Sequence, residues 1–213
     1  ENSVDLDKLV VTAAGYEQEV ASAPASVSVI SREEIESQSY TDLTDALRNV
    51  PGVVVTGGGA GDGGVDISLR GMPANYTLLL VDGKRISSRE SRPNGNAGYE
   101  TDWLPPLDAI EQIEVVRGPM STLYGSDAIG GVINIITRKV RSEWSGSIQQ
   151  DVTFQENDDS GDYKQTSFNI AGPLIENYLG IQIYGRNYSR DEDNILNGYE
   201  DKNLNSLSTK LTF

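Results

Sequence analysis

The sequence predicts an α+β domain with a small mixed sheet and short helices, followed by a series of longer antiparallel strands. Short β-branched runs separated by glycine-rich turns, together with two amphipathic helical segments, indicate the α+β domain over residues 21–140. Longer segments that alternate apolar and polar residues indicate the antiparallel strands over residues 141–213. Residues 1–20 form a polar leader with one short β-prone stretch.

The composition excludes several classes of site. The 213 residues include 32 acidic and 17 basic ones, for a net charge of -15, and the basic residues form no run, which argues against nucleic acid as a partner. The absence of histidine removes the commonest general base and transition-metal ligand, and the absence of cysteine removes disulfides and thiol chemistry. We therefore expect no catalytic residue, no metal site and no resident cofactor, and we predict that the protein is not an enzyme.

Two short helices are predicted near the start of the α+β domain. Ser31 opens the first one, and Glu34 completes a capping box three residues later. The second helix follows Thr41 and ends before Pro51-Gly52. Its apolar positions lie on one face at helical spacing: Leu43, Ala46, Leu47 and Val50.

Six short strands are predicted in the same domain, over residues 25–30, 53–56, 65–69, 78–81, 113–116 and 132–137. Asp82-Gly83 directly after the fourth strand predicts a tight hairpin. The glycine-rich segment 59–64 matches a dinucleotide fingerprint by spacing, but a strand follows it where that fingerprint needs a helix. We interpret the segment as an exposed loop.

The C-terminal strands alternate with connections of unequal length. Residues 156–162 and 191–205 form polar loops, and 172–177 is a short turn. Alternating segments of about ten residues joined in this way are typical of a transmembrane β-barrel, and a soluble antiparallel meander fits the same pattern. The chain ends at Phe213 inside a strand pattern, and an open sheet edge is not tolerated in lipid, so a barrel would need further strands.

The stretch from Ile113 to Thr137 resembles the plug-domain signature of TonB-dependent outer-membrane receptors. Companion motifs occur in the family's order over residues 45–53, 68–71 and 80–84, and the leader segment 7–13 looks like the family's TonB box. The resemblance implies a plug that fills a barrel of about 22 strands, of which residues 141–213 would form the first three to four. It also implies an outer-membrane location with the plug facing the periplasm, and membrane lipid around the barrel.

The resemblance implies an energy-coupling partner as well. In this family the TonB protein captures the TonB box as an added β-strand, which depends on main-chain hydrogen bonds more than on side chains. The alternative is that this stretch is a buried first strand of the plug. The residues expected to bind TonB are Asp7, Leu9, Val10, Val11 and Thr12.

Arg70 and Arg117 match the paired plug arginines of the family, which face carboxylates on the barrel wall. Such pairs can hold a plug reversibly, because ion pairs in a wet lumen give orientation more readily than net stability. The resemblance therefore implies a latch between plug and barrel whose partner glutamates lie beyond Phe213.

The polar segment 86–99 looks most like that of catecholate-siderophore receptors, including the ferric enterobactin and colicin I receptors. Arg89 and Arg92 are the candidates for charge and ring stacking with a ferric siderophore, and Tyr99 and Trp103 would add aromatic surface. Alternatively, the two arginines balance a local acidic surface. Other possible identities are a haem or cobalamin receptor, or a soluble plug-like binding module, and bacteriocins and phages are candidate further partners.

Overall fold

The structure, a computed structural model, describes residues 9–10, 18–19, 26–38, 40, 42–57, 65–86, 99–139, 143–176, 178–196 and 198–212. The strands are β1 (Leu9–Val10), β2 (Gln18–Glu19), β3 (Ser26–Ile30), β4 (Val53–Gly57), β5 (Val65–Leu69), β6 (Thr77–Val81), β7 (Lys84–Arg85), β8 (Ile110–Arg117), β9 (Gly131–Thr137), β10 (Ser145–Thr153), β11 (Tyr163–Ile175), β12 (Leu179–Arg190) and β13 (Lys202–Thr212). The α-helices are α1 (Arg32–Ser37), α2 (Leu43–Arg48) and α3 (Ser121–Tyr124), and 3-10 helices cover Ala74–Tyr76, Tyr99–Trp103, Leu107–Ala109 and Ser126–Ala128. No helix in these described ranges is both long enough and apolar enough to cross a membrane.

The α+β domain is built on a five-stranded sheet in the order β3-β8-β9-β6-β7. The sheet is mixed, as predicted, because β6 pairs in parallel with β9, whereas the pairs β3–β8, β8–β9 and β6–β7 are antiparallel. β4 and β5 form a separate two-stranded sheet, so the six predicted strands exist but do not share one sheet.

The helices begin where side chains satisfy their first backbone N–H groups. The predicted capping box at Ser31 is confirmed, since Ser31 Oγ accepts a hydrogen bond from Glu34 N at 3.4 Å. In the second helix the capping residue is Asp42, whose Oδ1 accepts from Thr44 N at 2.8 Å. The face of α2 that the spacing predicted to be apolar lies in the hydrophobic core, where its buried members are Leu43, Ala46 and Leu47.

The predicted hairpin at Asp82-Gly83 is confirmed. It joins β6 to β7, with Val81 opposite Lys84. Asp82 has φ +50 and Gly83 has φ +75, and a two-residue turn with both central residues at positive φ matches the twist of the flanking strands.

Strands β10 to β13 form a separate antiparallel sheet in sequence order, here called the wall. Its outer face carries the apolar positions of the predicted alternation, with Ile148 78% and Leu207 71% exposed. Its inner face, which packs against the α+β domain, is polar and includes Gln149, Gln165, Asn169, Gln182, Arg186 and Lys210.

Two predicted connections in the wall were misplaced. The loop predicted over 191–205 ends earlier, because Lys202 pairs with Arg190 and Asn205 pairs with Asn187. The predicted turn at 172–177 is mostly strand, since β11 continues to Ile175 through an irregularity at Pro173. Proline lacks a backbone donor and is tolerated in a strand at such irregularities.

Candidate functional site

The leader contributes a strand of its own. Leu9 and Val10 form β1, which pairs with β2 through Leu9 opposite Glu19 and Val10 opposite Gln18. Among the described residues, β1 has no second partner strand and takes no part in the five-stranded sheet. TonB binding by this stretch and the alternative of a buried first strand of the plug therefore both stay predictions. The other predicted TonB-binding residues, Asp7, Val11 and Thr12, lie outside the described residues.

Two of the four predicted ligand contacts, Tyr99 and Trp103, lie in the 3-10 helix Tyr99–Trp103. Trp103 has 73% of its surface exposed, so its indole is open to a partner. Tyr99 is the first residue of this helix. Arg89 and Arg92 lie outside the residues that the structure describes.

Asp102 fastens this helix to the wall. Its carboxylate pairs with Lys202 Nζ at 2.9 Å, and its backbone carbonyl accepts a hydrogen bond from Arg186 Nη2 at 2.9 Å. Asp102 and Lys202 keep 16% and 22% of their side-chain surface exposed, so the pair is only partly screened by solvent. These three residues, here called the Asp102 anchor, hold the segment that presents Trp103.

A second contact with the wall lies at the β6–β7 turn. Asp82 Oδ2 pairs with Lys210 Nζ at 2.9 Å and accepts a hydrogen bond from the Thr137 hydroxyl at 2.8 Å. Lys210 Nζ also donates to Thr137 Oγ1 at 2.6 Å, and Thr137 N donates to Asp82 Oδ1 at 2.9 Å. Asp82, Thr137 and Lys210, here called the Asp82 anchor, join the turn, the end of β9 and the wall.

Neutral hydrogen bonds connect the same two layers near the 3-10 helix Leu107–Ala109. Gln182, which is fully buried, donates to Asn169 Oδ1 at 2.9 Å and to the carbonyl of Ala109 at 3.4 Å. Buried amides need such partners, because an unpaired polar group in a dry interface is costly. Two side-chain amides of the inner face, Asn169 and Gln182, thus donate to backbone carbonyls of the α+β domain, at Asp108 and Ala109.

A cavity of about 380 Å³ lies between the α+β domain and the inner face of β11 to β13. Its described lining includes four carboxylates, on Asp42, Asp45, Asp102 and Glu200, and four cations, on Arg48, Arg186, Arg190 and Lys202. The two sets balance, and the carboxylate of Asp42 is occupied in capping α2.

Beside the cavity, the loop after β12 is ordered around Asp193. Its carboxylate accepts hydrogen bonds from Gly161 N at 2.8 Å and Tyr199 N at 2.9 Å, and these bonds hold the pKa of Asp193 below its usual value. Arg190 Nη2 donates to Asp193 Oδ1 at 2.6 Å and its guanidinium lies 4.5 Å from the Tyr199 ring centroid. The loop is thus tied to the end of β12 and to the turn before β11.

The two predicted latch arginines lie close to each other on the α+β domain, with Arg70 exposed and Arg117 half-buried. Burial, and then the charge of Arg70, lowers the pKa of Arg117 from its ordinary value. Arg117 donates to Ser26 Oγ, to Ser28 Oγ and to the carbonyl of Pro51. Within the described ranges, neither arginine forms an ion pair with a carboxylate, and a latch to wall glutamates stays a prediction.

Sequence reasoning missed the two anchors. The alternation of β13 already puts Lys202 and Lys210 on the face opposite to Leu207 and Leu211. That parity was a usable signal that both lysines point inward. It gave no indication that Asp102 and Asp82 would meet them.

Three comparisons with known proteins agree on the kind of protein. A family model described as the TonB-dependent receptor plug domain matches residues 19–132. The iron-regulated outer membrane virulence protein of Vibrio cholerae serotype O1 is 60% identical over 208 residues, which cover 97% of this chain and 31% of that protein. The ferrienterobactin receptor of Escherichia coli K12 is 38% identical over 216 residues, covering 96% of this chain and 28% of that receptor.

Solved structures of similar sequence share the fold. The siderophore receptor PirA from Acinetobacter baumannii superposes with a TM-score of 0.68 at 40% identity, covering 78% of this chain and 25% of that one. This chain thus spans less than a third of the length of these relatives. The wall corresponds to the first strands of a barrel that is partial in this chain. Because the family model covers more than half of the sequence, the chain belongs to the TonB-dependent receptor plug domain family.

Proposed function

We propose that this chain is the plug and first four barrel strands of an outer-membrane receptor that takes up a ferric siderophore of the catecholate type. The observation that carries the proposal is the joining of a plug of this family to a wall that is apolar outside and polar inside. An apolar outer face suits contact with lipid, and a polar inner face suits a wet lumen. The plug fills the space beside that inner face and controls passage of the ligand through the barrel.

TonB is the proposed energy-coupling partner. β1 has one edge paired with β2, and its other edge has no partner among the described residues. Strand addition needs an unpaired row of backbone N–H and C=O groups of this kind. Asp7, Leu9, Val10, Val11 and Thr12 are the residues that we propose to bind TonB.

The catecholate ligand is supported by the names of relatives, among them the ferrienterobactin receptor of Escherichia coli. Arg89, Arg92, Tyr99 and Trp103 are its proposed contacts. The exposure of Trp103 and the fastening of its helix through Asp102 support this choice, since a rigidly held aromatic group binds at a lower entropy cost. The receptor needs no resident cofactor and performs no covalent chemistry, and a bacteriocin or phage that exploits it is a further candidate partner.

Radioactive iron uptake tests the proposal directly. The complete receptor is produced in a bacterium that lacks its own catecholate receptors, with and without a functional TonB. We expect ferric enterobactin to be taken up only when both the receptor and TonB are present. Saturable uptake of haem or cobalamin with no uptake of the ferric catecholate would assign the protein to another ligand, and a folded monomer in detergent-free buffer would favour the soluble module.

The proposal also predicts which connections face outside. A plug that precedes the first strand makes that strand run outward, so loops 154–162 and 191–201 are extracellular and the turn at residues 176–178 is periplasmic. These 213 residues contain no cysteine, so a cysteine introduced among them is the one thiol in this part of the receptor. We expect Asp158→Cys to react with a membrane-impermeant maleimide on intact cells, and Glu176→Cys to react only after the outer membrane is opened. The reverse pattern would contradict this orientation.

A further inference from the structure

The first strand of the plug sheet, β3, is held by its backbone pairing with β8 and, at its N-terminal end, by the side chain of Arg117. β3 lies at an edge of the sheet, where β8 is its only neighbouring strand among the described residues. Ser26, the first residue of β3, is directly opposite Arg117, the last residue of β8. The backbone ladder of five residue pairs is short, so side-chain contacts at its open end matter for whether it stays closed.

All three guanidinium nitrogens of Arg117 are used at this end of β3. Nε and Nη2 donate to Ser26 Oγ at 3.2 and 3.0 Å, and Nη1 donates to Ser28 Oγ at 2.8 Å. Nη1 also donates to the Pro51 carbonyl at 2.8 Å, which ties the strand to the turn after α2. Hydrogen bonds from a charged donor are stronger than neutral ones. We call Arg117, Ser26, Ser28 and Pro51 the Arg117 clasp.

The opposite side of the same sheet is fastened to the wall. The Asp82 anchor holds the β6–β7 turn and the end of β9 to Lys210 of β13. The leader, with β1 and β2, enters the sheet at Ser26. Tension that passes beyond the β1–β2 pair therefore meets the Arg117 clasp as it enters the sheet, while the Asp82 anchor fastens the β6–β7 turn and the end of β9 to the wall.

We propose that the Arg117 clasp is the mechanical threshold of the plug, the contact that must open before a pull on the leader can strip β3 from β8. In this role Arg117 is a positioning residue that acts on β3, in addition to any contact that it makes with a barrel carboxylate. The source of the pull rests on the proposed function, since TonB would supply it. The clasp itself is a property of the plug and can be measured without TonB or ligand.

The test uses the complete receptor and removes the acceptors on β3 rather than Arg117 itself. Ser26→Ala with Ser28→Ala breaks the clasp but leaves Arg117 free to meet the barrel. Ser26→Thr with Ser28→Thr is the matched control, because threonine keeps the hydroxyl and suits a strand. Hydrogen exchange is measured over β3, with β6 and β9 as internal references.

We expect exchange of the β3 amides to become at least about tenfold faster in the alanine variant, with β6 and β9 unchanged and the threonine variant close to wild type. Pulling single receptors by the N-terminus should show the event that releases β3, after the β1–β2 pair has opened, at a lower force in the alanine variant only. Unchanged β3 exchange would overturn the proposal, as would equal acceleration in β9, which indicates general destabilisation. Hydrogen exchange of β3 and the unfolding force are both measured without TonB or ligand. A failed uptake experiment would therefore contradict the proposed function without contradicting the Arg117 clasp, and the reverse also holds.

Discussion

Proline at position 10 is expected to abolish TonB-dependent uptake and to leave ferric catecholate binding unchanged. Val10 lies in β1, and strand addition depends on a continuous series of main-chain hydrogen bonds. Proline has no backbone N–H and fixes φ at about −65°. It therefore removes one hydrogen bond from the ladder that TonB would form with this strand. The proposed ligand contacts, Arg89, Arg92, Tyr99 and Trp103, do not belong to this strand, so the substitution should leave them intact.

The measurement compares iron uptake with equilibrium binding on the same cells. Val10→Thr is the control, because threonine keeps the backbone donor and the β-branched side chain. We expect the threonine variant to transport at close to the wild-type rate and the proline variant to fall to the rate of cells without TonB. Uptake that survives Val10→Pro would mean that the TonB box lies elsewhere in the protein.

Replacing Arg89 and Arg92 together by alanine is expected to cause the largest loss of ligand affinity. A ferric tris-catecholate is an anion with aromatic rings, and a chain of net charge -15 repels it unless local positive charge offsets the repulsion. Each lost charge-assisted contact should cost about 1.5–3 kcal/mol. The loss should be smaller at high salt, where screening has already weakened the attraction.

Tryptophan fluorescence quenching at low and high ionic strength measures both effects. Arg89→Lys with Arg92→Lys separates the causes, since lysine keeps the charge and loses the planar group that stacks on a ring. If charge alone matters, the lysine variant binds like the wild type. Unchanged affinity in the alanine variant would remove the reason for assigning these two arginines to the ligand, without affecting membership of the family.

Features that depend on neighbours in the chain could be predicted from the sequence. The capping box at Ser31, the hairpin at Asp82-Gly83 and the two faces of the wall strands all agree with the structure. Each is decided within a few residues, because capping, turn geometry and the two-residue period of a strand are local properties.

Strand boundaries were harder to predict where side-chain polarity and backbone pairing disagree. Asn203 and Asn205 read as loop residues, yet both lie in β13, and Asn205 Oδ1 accepts a hydrogen bond from Asn187 Nδ2 at 2.6 Å. Pro173 reads as a turn residue, yet β11 passes through it. Backbone pairing with the neighbouring strand determined these boundaries. The residues of one segment do not indicate which strand will lie beside it, so the boundary could not be predicted from them.

The contacts that assemble the plug on the wall were decided only by the tertiary structure. Lys202 and Asp102 are 100 residues apart, and Arg117 and Ser26 are 91 apart. The sequence determined which face of its strand each lysine occupies, and that Arg117 ends a β-branched run. Which carboxylate or hydroxyl each of them meets depends on sheet order and register. Arg117 meets Ser26 because β3 lies beside β8, and Lys210 meets Asp82 because the β6–β7 turn lies against β13.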